Sequence, residues 1–130
     1  MNKILITTVP FGSENKLPIE LLDNLNINYL INPLNKKLTE SELLEMTSDV
    51  DIIIAGTEPI TKKVIDSAKN LKMISRVGIG LDSVDLLAAK AKGIKVCYTP
   101  DAPAPAVAER TLGVMLTLLR SLHVSNSQLH

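Results

Sequence analysis

Apolar residues fall along this chain in two rhythms. Short, nearly continuous runs at Lys3–Thr8, Asn28–Asn32, Asp51–Ala55, Met73–Val77 and Lys95–Thr99 predict strands, the first buried on both faces. Helical spacing predominates between them. Pro18–Leu25 places Ile19, Leu21, Leu22 and Leu25 on an apolar face, with Pro18 in the first turn. Thr39-Glu40-Ser41-Glu42 is a capping box that opens a helix to about Thr47. A further helix starts at Thr61, with Val64, Ile65 and Ala68 apolar. Val84–Lys92 is another, and Gly93 follows as a left-handed C′ residue. Pro100, Pro103 and Pro105 mark a linker. The closing helix, Ala106–Leu122, is apolar almost all the way round.

The predicted strands recur about every 20 to 25 residues with helices between them, the signature of βαβ units and a parallel sheet. Right-handed crossovers favour an α/β, flavodoxin-like, doubly wound sheet of five strands in the order 2-1-3-4-5. Ligands in such sheets collect at the carboxyl ends of the strands. The loops Pro10–Ser13, Gly56–Ile60 and the one after the fourth strand all lie on that edge. A helix apolar all round needs cover, so Ala106–Leu122 is expected to pack against a further domain or a second copy of the chain.

Composition narrows the classes. The 130 residues are 45% hydrophobic and contain one Phe, two Tyr and no Trp, so the core is aliphatic. Fourteen basic residues balance fourteen acidic ones, which gives no general attraction to nucleic acid or to an anionic membrane. The single cysteine, Cys97, excludes an internal disulfide and a multi-cysteine metal site, and in a strand it is expected to be a buried, inert thiol. The apolar run at the N-terminus is too short for a signal peptide. Ala106–Leu122 carries Glu109, Arg110 and Arg120 and is no membrane span. A soluble cytoplasmic protein is expected.

The candidate chemistry lies in Lys72–Asp85, K-M-I-S-R-V-G-I-G-L-D-S-V-D, a strand that runs through a glycine turn towards a helix. Gly78 and Gly80 carry no Cβ to keep a ligand from the backbone. Asp82 or Ser83 is expected to cap a helix beginning near Val84. Backbone amides gathered in this way suit a small anion. Turn geometry alone also explains such glycines. Gly78-Ile79-Gly80-Leu81-Asp82-Ser83 also matches the first part of the dinucleotide fingerprint G-x-G-x-x-G, with Asp101 about 20 positions further on. That reading is set aside. Ser83 replaces the third glycine, the motif follows the fourth strand, and Asp82 and Asp85 would oppose a pyrophosphate.

V-G-I-G-L-D-S-V-D, then A-K-A-K-G-I-K-V, then T-P-D-A-P and A-V-A-E, in this order and spacing, resemble the D-isomer-specific 2-hydroxyacid dehydrogenases, most of all the phosphoglycerate dehydrogenase branch. The resemblance implies a flavodoxin-like substrate-binding domain over residues 1–100. Residues 101–130 would then be a linker and crossover helix leading to a nucleotide-binding domain. It implies that the amides of Ile79 and Gly80 hold the substrate carboxylate, with Gly78 shaping the turn. It implies NAD as cofactor for the parent protein, a 2-hydroxy or 2-oxo acid as ligand, with 3-phosphoglycerate among the candidates, and a homodimer through Ala106–Leu122. Arg76, next to the loop, could neutralise a substrate anion, or be an ordinary surface arginine.

Departures bear on the substrate. Ser83 and Tyr98 stand where the family often has Asn. Gly56-Thr57-Glu58 lacks the Arg or Ser often found near the substrate, and Glu58 would repel an anion if it pointed inward. The family's catalytic Arg, Glu and His belong in or after the nucleotide-binding domain, and the only histidines here, His123 and His130, sit far along the chain as an expected solvated tail. The chain is therefore expected to be an inactive N-terminal fragment of an NAD-dependent dehydrogenase, with no catalytic residue and no metal site of its own. The competing reading is a stand-alone small-carboxylate binding or regulatory module. A receiver or flavin domain is disfavoured, because Val9–Lys16 has neither a Ser/Thr phosphate run nor an acidic pocket.

Overall fold

The computed structural model describes residues 2–129. Two compact units divide the chain, one ending at Thr99 and one starting at Pro100. The first contains five parallel strands, β1 (Lys3–Ile6), β2 (Asn28–Ile31), β3 (Ile52–Ala55), β4 (Met73–Arg76) and β5 (Lys95–Tyr98). Their order in the sheet is β2-β1-β3-β4-β5, the flavodoxin-like order expected from the alternation. The helices α1 (Leu17–Asn24), α2 (Glu40–Met46), α3 (Lys62–Ser67) and α4 (Leu86–Ala91) make the crossovers.

The core is aliphatic. Leu5, Ile53 and Ile74 of the three central strands are fully buried together with Leu43, Val64, Ile65 and Ala89 from the helices. The register aligns Leu5 with Ile53 and Ile53 with Ile74, so one row of branched side chains crosses the sheet centre. Truncating such a residue to Ala typically costs about 2–5 kcal/mol.

The local start signals act as their chemistry dictates. Glu42 N–H donates to Thr39 Oγ1 at 3.4 Å, while the Glu42 carboxylate accepts from Thr39 N–H at 2.8 Å and from Lys36 Nζ at 2.6 Å. Thr61 caps α3 through Val64 N–H at 3.4 Å. Gly93 follows α4 at φ +69°, in the left-handed region.

Four expectations are corrected. Neither Asp82 nor Ser83 caps α4; Asp85 does, accepting from Ala88 N–H at 2.9 Å. The chain is extended at Val84, where it bridges to Ile60, so the helix starts beyond that bridge. Cys97 is exposed, not buried, because β5 is an edge strand with one neighbour. In the second unit, Pro103 and Pro105 are not linker but the N-cap and first turn of α5 (Ala104–Leu119), where proline's missing N–H has no helical partner to lose. The helix stops short of Leu122. Ser121 takes φ +50°, and a separate helix, α6 (Leu122–Leu129), follows. Val107, Leu112, Met115, Leu116 and Leu119 on α5 are exposed. No helix among the described residues is long and apolar enough to cross a membrane.

Candidate functional site: a glycine loop at the carboxyl edge of the sheet

The loop from Val77 to Ser83 leaves the carboxyl end of β4. Its entry is tied to the sheet by Val77 N–H donating to Ala55 O at 2.8 Å. Its exit is tied to the loop after β3: Ile60 N–H donates to Ser83 O at 2.7 Å, and Asp85 N–H donates to Ile60 O at 3.0 Å. In between, Gly78 O accepts from Thr99 N–H at 3.0 Å and Leu81 O accepts from Val84 N–H at 3.0 Å. The carbonyls of Gly78, Leu81 and Ser83 are thus engaged. The N–H groups of Gly78 through Ser83, by contrast, donate to no protein acceptor among the described residues.

The two glycines differ. Gly78 sits at φ +135°, which side chains resist. A Cβ there would also meet the Arg76 guanidinium, with Cζ at 3.0 Å. Gly80 has no such torsion, and a Cβ on it would come within 3.3 Å only of Asp82 Oδ2. Ile79 between them is 55% exposed.

Arg76 is half-buried and folds back over the loop, donating from Nη1 to Val77 O. With Thr57, Gly80, Asp82 and Ser83 it lines a cleft of about 190 Å³. A wider cleft of about 680 Å³ shares Thr57, Asp82 and Ser83 and adds Lys37, Leu38, Thr39, Glu40 and Pro59. Of the residues singled out in the sequence, Arg76 and Gly80 line this small cleft, while Gly78 and Ile79 lie in the loop beside it and are not part of its lining.

Glu58 does not face that cleft. It is 1% exposed and points into the crevice between the ends of β1 and β3, the point where the sheet's winding reverses. There its Oε1 accepts from Gly56 N–H at 2.9 Å and from the Thr7 hydroxyl. The carboxylate is thus held within the fold, and Glu58 lines neither of the two clefts. Sequence reasoning missed this role; a charged residue in a Gly-Thr-Glu-Pro loop gives no local sign of turning inward.

The family model for the D-isomer specific 2-hydroxyacid dehydrogenase catalytic domain matches residues 4–126. The chain belongs to this family. A hydroxypyruvate reductase of Thermotoga maritima is 43% identical over 89 residues, covering 68% of this chain and 29% of its own length. A D-3-phosphoglycerate dehydrogenase of Methanocaldococcus jannaschii is 43% identical over 94 residues, covering 71% of this chain and 18% of its own length. Among solved structures, NAD+-bound 3-phosphoglycerate dehydrogenase of Entamoeba histolytica aligns with a TM-score of 0.79 at 28% identity, over 89% of this chain and 38% of that one. The chain thus spans well under half the length of these dehydrogenases.

Dehydrogenases of this family imply a nicotinamide cofactor, and the residues of this chain do not fit one. After Gly80 the backbone runs into the Ile60–Val84 bridge instead of entering a helix, and α4 begins only at Leu86. The Arg76 guanidinium also lies over Gly78. The loop can hold one small anionic group. Among the described residues no cluster of His, Cys, Asp and Glu is placed to hold a metal ion. His123 is exposed on α6, and His130 lies outside the described residues.

Proposed function

We propose that this chain is the substrate-binding part of an NAD-dependent oxidoreductase acting on the CH–OH group of a D-2-hydroxy acid. The N–H groups of Ile79 and Gly80 take the carboxylate, Gly78 sets the turn, and Arg76 offsets the negative charge. NAD is held by residues outside this set, and by itself the chain binds the acid without oxidising it. The reading rests on one observation above all: a loop anchored through the carbonyls of Gly78, Leu81 and Ser83 presents a row of unpaired amides beside an arginine. Each amide donated to a carboxylate is a charge-assisted bond, stronger than its neutral counterpart. The names of the relatives support the substrate class. Residues 101–130 serve in this reading as the crossover segment, and the exposed apolar residues of α5 pair two copies as a homodimer.

The test is a titration of the 15N-labelled chain with D-glycerate or D-lactate. Amide shifts concentrated at Gly78–Gly80 are expected. Saturating acid that leaves those resonances in place overturns the assignment.

A further inference from the structure

We infer that the acid held by this loop has an uncharged tail, so that the substrate is a non-phosphorylated 2-hydroxy or 2-oxo acid. The inference rests on the carboxylate site proposed above and concerns what lies next to it.

A phosphorylated acid needs two anion sites, and the second must offer cations or several donors to replace the water a phosphate loses. The cleft beside the loop is about 190 Å³, and its lining residues include one cation, Arg76, and one acid, Asp82. Arg76 has Nη1 on Val77 O and its guanidinium over Gly78, and its buried Nε has no protein partner, so its remaining donors lie close to where the carboxylate would sit and are taken up by that group. The end of β3, the neighbouring strand, supplies nothing further: Ala55 and Gly56 are buried, Glu58 turns inward, and Thr57 alone reaches the cleft. In the wider cleft that continues past Thr57, Lys37 is matched by Glu40 and Asp82. A phosphate dianion would therefore meet as many carboxylates as cations. The hydroxyls of Thr57 and Ser83, with Leu38 and Pro59 beyond them, suit instead a hydroxymethyl or short alkyl tail.

The experiment compares D-glycerate with D-3-phosphoglycerate on the 15N-labelled chain and on Thr57→Arg, a change at an exposed position. The native chain is expected to bind glycerate roughly five- to tenfold more tightly, the scale of one unfavourable charge contact. Thr57→Arg is expected to reverse that preference. Tighter binding of the phosphorylated acid by the native chain, with both ligands shifting Gly78–Gly80, overturns this inference and leaves the carboxylate site standing. So does a Thr57→Arg chain, still folded by its amide dispersion, that gains nothing for the phosphorylated acid. If neither acid moves the loop amides, the carboxylate site falls and this inference falls with it.

Discussion

Ile60 N–H donates to Ser83 O at 2.7 Å and so joins the loop after β3 to the end of the glycine loop. The return bond, from Asp85 N–H to Ile60 O at 3.0 Å, makes the join a short parallel bridge. Thr57 and Gly80 face one cleft because their loops are stitched together in this way. The bridge also sets where α4 can start.

The two glycines of the loop should respond differently to alanine. Gly78→Ala must bear an unfavourable φ and displace the Arg76 guanidinium, at a cost of about 1–3 kcal/mol. Gly80→Ala meets only the flexible end of Asp82 and should remain near native stability. Urea unfolding of the pair measures the difference, and equal stabilities would contradict the geometry.

Glu58→Ala leaves Gly56 N–H without its acceptor, while the Thr7 hydroxyl can still donate to Ile54 O at 3.1 Å. The expected loss is on the order of 1–3 kcal/mol for one buried donor. Glu58→Gln keeps an acceptor oxygen in place and should recover most of it. A Glu58→Ala chain that melts with the native one would show that the buried carboxylate contributes nothing.

The capping box of α2 gives an acid-dependent stability term. The bond from Lys36, then those from Thr39, hold the Glu42 carboxyl down to about 2 from an ordinary value of 4.5. A depressed carboxyl stabilises the fold above its ordinary value, and that contribution is lost as pH falls towards about 2. Carbon-detected titration of Glu42 should show this midpoint. Lys36→Ala should move it upward, and no movement would remove Lys36 as the main cause.

The exposed apolar side chains of α5 should draw two copies together. Sedimentation of the native chain is expected to give twice the monomer mass at micromolar concentration, and Met115→Glu, at a position 52% exposed, to return it to the monomer. A native chain that sediments as a monomer rules out this use of the helix.

What could be read from the sequence follows the range of the interactions involved. The Thr39–Glu42 box and the Thr61 cap span three residues each, so spacing alone revealed them. The strand order followed from alternation and crossover handedness. The start of α4 did not, because Asp82, Ser83 and Asp85 are all competent caps and the choice among them is made by Ile60, far away in the chain. The inward turn of Glu58 depends on Thr7, 51 residues away. The exposure of Cys97 was within reach, since the expected order already placed its strand at the sheet edge. At the glycine loop the sequence showed the glycines, while which carbonyls are engaged and which amides are unpaired emerged only from the fold.

That division bears on the entropy of capture. Fixing a flexible residue costs roughly 1–2 kcal/mol, and a loop that ordered only around its guest would lose much of its affinity to that cost. Here the carbonyls of Gly78, Leu81 and Ser83 already hold the backbone still, and no internal bond breaks when the amides exchange water for an oxyanion. The loop is anchored on both sides of Ile79 and Gly80 before anything arrives, so the ordering left to be done on capture falls on those two residues.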